Sequence, residues 1–422
     1  MEIPLVTSTN ILQRYQRVRQ QSEALCKPLA KEDYVVQPVV DVSPPKWHLA
    51  HTTWFFETFL LQKFKSDYEV FDQDYGYIFN SYYESVGDRV LRVDRGNLSR
   101  PDVDEVYAYR NYVDEAMENL TSGEFTLNDE FHKVLEIGLQ HEQQHQELLI
   151  TDIKYILGHN PVFPGYFLEK SVRQTNQGRI ADFLEIPEGA YQIGHQGQEF
   201  CFDNELGLHL VYLQAYKIMD RLVTNNEYLE FVAAGGYNDF HFWLMEGWEW
   251  VKASEIQGPL YWHQVNGKWH SYNLHGLEPL DGDAPVTHMS FFEADAYARW
   301  RSMRLPSEFE WETACKIHQP QMPDTAKFQE GCQFLPLSAP ENNFQFYGDA
   351  WEWTGSAYRP YPYFEHEDGA LGEYNGKFMV NQMVLRGGSC ATPKDHIRST
   401  YRNFFHPHLR WQFTGIRLAT HL

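Results

Sequence analysis

The longest regular pattern of apolar positions runs from Asp129 to Gly158 and predicts one long helix. Positions that recur every three or four residues share one face of it: Val134, Gly138, His141, His145, Leu148 and Asp152. Two histidines therefore interrupt an apolar stripe. Histidines at i and i+4 can aim both imidazoles at one metal ion. On spacing alone, a metal site and a pair of hydrogen-bonded core histidines are equally good interpretations.

Three further segments before this helix also show helical periodicity. They run from about Ile11 to Cys26, from Ser43-Pro44-Pro45 through Leu61, and from about Asp104 to Leu120. Ser43 is predicted to cap the second segment, with proline in its first turn. Four amphipathic helices of this length favour a bundle, whose core is a common place for metal sites.

The second predicted helix offers a third imidazole for such a site. His51 lies one turn from Trp47 and Trp54 on the stripe that is predicted to be buried. His48 flanks the same face. The pattern favours His51 only slightly, so both histidines stay open as candidates at this point.

The connection between the second and third helices, residues 75–101, is longer than the two to about eight residues usual in helix bundles. It contains the pair Tyr82-Tyr83 and several arginines. Among these, Arg92 and Arg95 are candidates for clamping a substrate carboxylate, because guanidinium groups match carboxylates geometrically.

From about Phe183 the helical periodicity weakens, and short segments alternate with Gly, Pro and Asn turns. The clearest helix in this part follows Ser290. We therefore predict an N-terminal helical domain over residues 1–165, a linker over residues 166–182 and a second domain over residues 183–422.

Composition narrows the classes of function. The chain has 35 basic and 58 acidic residues and a net charge of −23, which argues against nucleic acid or an anionic membrane as a partner. No apolar run reaches membrane-spanning length, and the N-terminus lacks a signal-peptide pattern. The five cysteines are odd in number and form no CxxC, as expected of reduced thiols in the cytoplasm.

Several phrases resemble known families. Arg304-Leu-Pro-Ser-Glu-Phe-Glu-Trp-Glu, Trp351-Glu-Trp and Arg386-Gly-Gly-Ser resemble the formylglycine-generating-enzyme fold, which is similar to C-type lectins. Trp47-His-Leu-Ala-His51 and His141-Glu-Gln-Gln-His145 resemble a DinB-like four-helix bundle. Fused in this order, the two resemble the ergothioneine-biosynthesis sulfoxide synthases. The resemblance implies an α+β protein with a helical bundle followed by a C-type-lectin-like domain.

The resemblance implies a non-haem iron(II) enzyme. Such enzymes use O2 to join the sulfur of a cysteine-type thiol to C2 of the imidazole of Nα-trimethylhistidine (hercynine), giving a sulfoxide. In the family pattern the iron ligands correspond to His51, His141 and His145, and His48 is not needed as a ligand. Three neutral histidines would leave three positions of an octahedral iron open for thiolate, imidazole and O2.

The resemblance also implies substrate contacts. Gln144, Asn403 and Phe404 match positions that contact trimethylhistidine, and Arg92 and Arg95 match the pair that holds the thiol's carboxylate. Relatives that use γ-glutamylcysteine tend to have an acid where this chain has Phe405, so free cysteine is the expected thiol.

Tyr82 and Tyr83 are the two candidates for a proton donor. A phenol with an ordinary pKa near 10 is protonated at neutral pH and can release its proton to reduced oxygen. Adjacent side chains of an extended segment point in opposite directions, so one tyrosine at most would face the iron. Tyr82 is the expected donor and Tyr83 its neighbour.

Other interpretations remain open. One alternative within the same class is a synthase whose sulfur or selenium donor is γ-glutamylcysteine or a selenium compound. A DinB-type thiol transferase would use a divalent metal without O2, and a binding module would use the histidines structurally. Cys390 stands alone where formylglycine-generating enzymes carry a cysteine pair, which argues against that activity.

Overall fold

The computed structural model describes residues 8–122, 127–171, 178–341, 343–365, 372 and 375–422. The chain divides into two compact units, Met1–Val162 and Phe163–Leu422. Residues 172–177 of the predicted linker lie outside the described residues. Among the described residues the first unit is helical and the second carries the strands, so the predicted α+β class is confirmed.

The first unit is built on four long helical segments. The helices of this unit are α1 (Ser8–Cys26), α2 (Pro45–Phe56), α3 (Gln62–Phe64), α4 (Tyr75–Ile78), α5 (Val103–Ser122) and α6 (Asp129–Gly158). A π-helical turn, Glu57–Leu61, joins α2 to α3, and 3-10 turns cover Lys31–Val35 and Arg92–Asn97. Helices α1 and α2 each pack against α5 and α6, which gives the bundle predicted from periodicity.

Helix α6 lies very close to α2 at Gly138. The side chain of Asn128 caps α6 by accepting a hydrogen bond from the backbone N–H of Phe131 at 2.9 Å. A Cβ atom at Gly138 would lie 2.8 Å from Phe56 Cε1 and 2.9 Å from Phe55 Cε1. Glycine is therefore what lets the two helices approach one turn before His141.

The start of α2 differs from the prediction. Pro45 occupies the first turn as predicted, but the capping position is Pro44, and no side chain caps the helix. Ser43 is not the cap because its polar groups have other partners. Its Oγ accepts a hydrogen bond from Arg95 Nη1 at 2.9 Å, and its backbone N–H donates to Asp152 at 2.8 Å.

A buried ion cluster anchors α6 beside the histidine stripe. Glu142 Oε2 accepts from Arg19 Nη1 at 2.9 Å, and Glu142 Oε1 accepts from Arg110 Nη2 at 3.1 Å. Burial alone would raise the pKa of Glu142, but the two guanidinium groups hold it below its ordinary value. Asp114 also pairs with Arg19 and Glu23 with Arg110, so each guanidinium has counter-ions inside the bundle, and the cluster ties α1 and α5 to α6.

The second unit consists of short helices around small sheets. Its helices are α7 (Asn225–Ala233), α8 (Met245–Ala253), α9 (Phe291–Trp300) and α10 (Glu308–His318). Its strands are β1 (Phe183–Ile186), β2 (Gly189–Ile193), β3 (His209–Leu213), β4 (Tyr216–Met219), β5 (Trp262–Val265), β6 (Lys268–Asn273), β7 (Gly276–Pro279), β8 (Trp351–Ala357), β9 (Met383–Arg386), β10 (Asn403–Phe405), β11 (Thr414–Gly415) and β12 (Ala419–His421). Ser290 caps α9 in a capping box with Glu293, which confirms the helix predicted after Ser290.

The strands form four sheets among the described residues. Their orders are β1-β4-β12, β2-β3, β5-β6-β7 and β10-β9-β8-β11. Pairing is antiparallel except between β8 and β11, which run parallel with Thr414 opposite Trp351. The last sheet places β10, with its candidate substrate residues, at an edge next to β9.

The sequence phrases that carried the resemblance in this unit form its buried ion pairs. Arg386 Nη2 donates to Glu312 at 2.8 Å, and Arg402 Nε donates to Glu308 at 2.8 Å. These pairs join α10 to β9 and to the segment before β10. The phrases are therefore structural, because each contributes a buried charge that an opposite charge elsewhere in this unit neutralises.

Within the described part of the chain, no helix combines the length and the apolar character needed to span a membrane.

Replacing Gly138 by Ala should destabilise the bundle by about 1–3 kcal/mol, because the added methyl group meets the rings of Phe55 and Phe56. Gly76→Ala is the matched control, since nothing lies within 4 Å of a Cβ at Gly76. Urea unfolding followed by helical circular dichroism measures the difference. Equal stability of the two variants would contradict the close approach of α2 and α6.

Candidate metal centre

Three imidazoles converge inside the helical unit. His51 comes from α2, and His141 and His145 come from α6. One nitrogen of each lies within 4.8 Å of the others. His51 Nε2 and His141 Nε2 are 3.2 Å apart, a separation that suits two nitrogens each about 2.1 Å from one ion. His51 and His141 are buried and His145 is half-buried.

Hydrogen bonding fixes which nitrogen of His51 is available. Its Nδ1–H donates to the backbone carbonyl of Phe79 at 2.6 Å. In a neutral imidazole the other nitrogen then carries a lone pair. His51 Nε2 therefore points its lone pair toward His141, as a metal ligand would.

His48 lies beside the three histidines with both nitrogens engaged. Its Nδ1 is 2.9 Å from His145 Nδ1, and its Nε2 is 2.9 Å from Asp152 Oδ2. His48 therefore bonds to the outer nitrogen of His145. Among the described residues, the group able to hold one ion consists of His51, His141 and His145.

Aromatic rings hold the His51 imidazole in its plane. Trp47 stacks on His51 at a centroid distance of 4.6 Å and an interplanar angle of 11°, and Trp54 stacks at 5.6 Å and 17°. Phe55 packs against His141 at 4.9 Å. The apolar surround keeps water from the rings and limits their rotation.

The two arginines predicted to clamp a carboxylate occupy different environments. Arg92 is exposed and donates to the carbonyl of Asp41. Arg95 is only 7% exposed; its guanidinium lies 3.4 Å from the ring centre of Trp47 and donates to Ser43 Oγ. Among the described residues Arg95 has no ion-pair partner, and its Nε has no hydrogen-bond acceptor. A buried cation without a direct ion pair is costly, so an anion bound here would stabilise it.

Burial keeps the three histidines neutral. It lowers the pKa of His141 to about 3 and holds the pKa of His51 well below its ordinary value. The pKa of His145 is lowered by burial and then by the neighbouring histidines. Neutral imidazoles offer lone pairs at physiological pH, so this donor set suits a divalent transition metal.

The two tyrosines do not point in opposite directions, contrary to the expectation for an extended segment. The chain bends at residue 82, and the rings of Tyr82 and Tyr83 stack at 4.6 Å. Tyr83 is buried against Phe59 at 5.2 Å and Trp54 at 5.6 Å, and Tyr82 is half-buried. Through Trp54, the pair is connected to the ring stack on His51.

The other predicted substrate residues are half-buried. Gln144 precedes His145 on α6. Asn403, Phe404 and Phe405 form β10 in the second unit. Phe404 stacks on Tyr358 at 4.1 Å, and Phe405 packs on Trp411 at 5.6 Å. Their roles toward a substrate stay predictions.

Sequence reasoning did not assign roles to several groups that surround the histidines. Asp152 shares the stripe of His145, and a carboxylate on an apolar face is the signal that could have identified it. The carbonyl of Phe79 gives no sequence signal, because every residue has one.

Comparison with known proteins agrees with this architecture. The family described as "Sulfatase-modifying factor enzyme 1-like domain" matches residues 169–334 and 337–422, and the DinB superfamily matches residues 14–149. The chain is 30% identical over 307 residues to a hercynine oxygenase of Mycolicibacterium smegmatis, covering 67% of this chain and 70% of that protein. The chain belongs to the hercynine oxygenase family. The resemblance inferred from the sequence is thereby confirmed.

Two further relatives match this chain over a smaller share of their own length. It is 34% identical over 241 residues to a hercynine oxygenase of Mycobacterium tuberculosis, covering 51% of this chain and 55% of that protein. It is 26% identical over 229 residues to Ergothioneine biosynthesis protein 1 of Schizosaccharomyces pombe, covering 52% of this chain and 27% of that protein. The matched region thus spans about half of the first relative and about a quarter of the second. Family membership and the three-histidine group together fit a metal centre.

The depressed histidine pKa values predict how stability depends on pH in the metal-free protein. The folded pKa of His141, about 3, lies below the unfolded value near 6.5, so the unfolded chain binds the proton first. As the pH drops from 6 to 4, the contribution of His141 should therefore lower the free energy of unfolding by about 1.4 kcal/mol per pH unit. His141→Gln should give a correspondingly shallower dependence in chelator-treated urea unfolding.

The control is His132→Gln, a change at an exposed histidine of the same helix, which should leave the wild-type slope. Parallel curves for the wild type and His141→Gln would show that His141 is not held neutral.

Proposed function

We propose that this chain is a non-haem iron(II) sulfoxide synthase of ergothioneine biosynthesis. It joins the sulfur of cysteine to C2 of the imidazole of Nα-trimethylhistidine (hercynine), using O2. One observation carries the proposal: three neutral imidazoles, of His51, His141 and His145, converge in a member of the hercynine oxygenase family. A cytoplasmic location, and the absence of nucleic-acid and membrane partners, remain expectations of the sequence.

His51, His141 and His145 are the proposed ligands. Imidazole donors suit several transition metals, so the choice of Fe(II) rests on the family and not on the donor set. When bound there, Fe(II) would supply the binding and activation of O2. The histidines hold their lone pairs ready because burial keeps them unprotonated and His51 Nδ1–H is tied to Phe79.

Arg95 is the proposed anchor of the cysteine carboxylate, with Arg92 assisting from the surface. The Nε–H of Arg95 lacks an acceptor, and a carboxylate would both accept that hydrogen bond and neutralise the buried charge. The Arg95 charge contributes to lowering the pKa of His51 and of His145, so it acts at the centre. A cysteine bound by its carboxylate at Arg95 would therefore be held beside the three histidines.

Gln144, Asn403 and Phe404 are the proposed contacts of trimethylhistidine. Its trimethylammonium group is a permanent cation, which an aromatic face attracts. Phe404 has its ring fixed by stacking on Tyr358 and could offer such a face. The amides of Gln144 and Asn403 could orient the imidazole through hydrogen bonds. Phe405 offers no polar group to the amine of a γ-glutamyl thiol, which favours free cysteine.

The proposed reaction needs a route for protons. One oxygen atom of O2 ends on sulfur. The other takes up the thiol proton and the C2 proton and leaves as water. The phenol Oη of Tyr82 is the proposed carrier, with the buried ring of Tyr83 stacked against it. A phenol is protonated at neutral pH and can pass its proton on and regain it.

The function is tested with anaerobic protein loaded with Fe(II), trimethylhistidine and cysteine, to which O2 is admitted while products are weighed by mass spectrometry. The sulfoxide should form only with O2, and kcat/KM should be higher with cysteine than with γ-glutamylcysteine. His51→Ala, His141→Ala and His145→Ala should each lose iron and activity, because each removes one of three ligands. His132→Ala is the surface control and should keep both.

Other outcomes would each contradict the proposal in a defined way. Turnover without O2 would indicate a thiol transferase. A protein that binds no metal would indicate a binding module. A preference for γ-glutamylcysteine, or for a selenium donor, would overturn the choice of cysteine. Full iron occupancy in His141→Ala would overturn the ligand assignment.

The tyrosine pair makes a separate prediction about product partition. Tyr82→Phe should slow carbon–sulfur bond formation by about 10²-fold, the usual contribution of a positioned acid, and divert oxygen to cysteine sulfinic acid. Tyr83→Phe should have the smaller effect. The measurement is the ratio of sulfoxide to sulfinate, with Tyr77→Phe as the control at an exposed tyrosine. If both single variants and the double variant keep the wild-type rate and ratio, the donor lies elsewhere.

A further inference from the structure

A chain of hydrogen bonds runs outward from His145 to a buried carboxylate. His145 Nδ1 lies 2.9 Å from His48 Nδ1, and His48 Nε2 lies 2.9 Å from Asp152 Oδ2. His48 and Asp152 are 4% and 2% exposed. His48 comes from α2, whereas Asp152 follows His145 by about two turns of α6. The chain therefore bridges the two helices that supply the three converging histidines.

In the uncharged form of His48, the partners set the direction of both hydrogen bonds in this chain. A carboxylate only accepts, so His48 Nε2 carries the proton that faces Asp152. Neutral His48 then presents a lone pair at Nδ1, and the hydrogen between the two rings must come from His145 Nδ1. In the opposite tautomer of His145, two lone pairs would face each other at 2.9 Å. His145 Nε2 is thereby left with its lone pair.

Asp152 is itself held in place from a second direction. The backbone N–H of Ser43 donates to the same Oδ2 atom at 2.8 Å, and Ser43 Oγ accepts from Arg95. Two donors on one carboxylate oxygen fix its position relative to the start of α2. This engagement also explains why Ser43 does not cap that helix.

We propose that Asp152 and His48 are positioning residues that set the tautomer and ring orientation of His145 and present its Nε2 to the metal. The proposal rests on the three-histidine centre but not on the reaction assigned to it. The outer nitrogen of His51 bonds to a neutral carbonyl, whereas that of His145 is linked to a carboxylate through His48. Carboxylate-linked imidazoles are the more basic ligands, so His145 should be the stronger donor of the two.

Co(II) serves as the probe metal, because its visible absorption reports the ligand field. The metal-free full chain is titrated with Co(II) against a competing chelator. His48→Phe keeps a ring of similar shape without nitrogens, and Asp152→Asn keeps the size but not the charge. Each should weaken Co(II) binding by about 10–100-fold, the usual effect of losing such a partner, and shift the absorption bands.

The matched control is His396→Phe. His396 is a buried histidine of the second unit and is hydrogen-bonded to Tyr401 at 3.0 Å. Its replacement should lower thermal stability as His48→Phe does but leave Co(II) affinity and absorption unchanged. A purely structural role for His48 would instead give matching results for the two variants.

A second measurement observes the tautomer directly. In metal-free protein with 15N-labelled histidine, two-bond nitrogen–proton correlations should show His145 as the Nδ1–H form. The His145 signal is assigned by its absence from the spectrum of His145→Gln. His48→Phe should convert this signal to a mixture of tautomers, because nothing then selects one.

The outcomes separate this inference from the proposed function. Wild-type affinity and absorption in both His48→Phe and Asp152→Asn would overturn the positioning role while leaving the metal centre intact. If His48→Phe does not fold, the nearly isosteric Asp152→Asn decides by the same criterion. A wild-type protein that does not bind Co(II) would overturn both the centre and the positioning role.

Discussion

The helical unit depends on enclosing three uncharged imidazoles, each with one nitrogen near a common point. Unpaired polar groups inside a protein cost free energy unless each finds a partner, so the surrounding residues must satisfy the outer nitrogens and leave the inner ones available. Phe79 does this for His51, and His48 does it for His145. The arrangement also requires α2 and α6 to lie closer than most side chains permit, which is why a glycine stands at position 138.

Buried charge distinguishes the structural from the functional part of the bundle. Arg19 and Arg110 each pair with Glu142 and with one further carboxylate, so both have counter-ions within the protein and need no ligand. Arg95 is also buried, but among the described residues its guanidinium has a hydroxyl acceptor and an aromatic face and no ion pair. Both environments exclude water, yet only the second is incomplete, and an anion of the right shape would complete it. This difference, rather than the number of arginines in the loop, supports the proposed role of Arg95 in binding a carboxylate.

The second unit is held together by different interactions. Its sequence phrases consist of capping boxes and of charges that neutralise one another, such as Arg386 with Glu312 and Arg417 with Glu352. Short helices and small sheets bury too little apolar surface to be specified by periodicity, so buried ion pairs and caps fix their arrangement instead. Those phrases therefore identify the fold, whereas the chemistry depends on residues outside them.

The sequence by itself determined the elements whose information is local. Apolar spacing predicted the helices of the bundle and the helix after Ser290, because this pattern is read within a few residues of chain. Periodicity could not decide between His48 and His51, since both lie on the buried side of α2. The resemblance selected His51, and packing against α6 gives the physical reason, because it directs His51 toward His141 and His48 toward Asp152. The same reason accounts for Ser43 and for the stacked rings of Tyr82 and Tyr83, whose partners or geometry depend on distant residues and on a bend of the backbone. Tertiary structure thus decided which polar groups meet, because hydrogen-bond partners far apart in sequence leave no periodic trace.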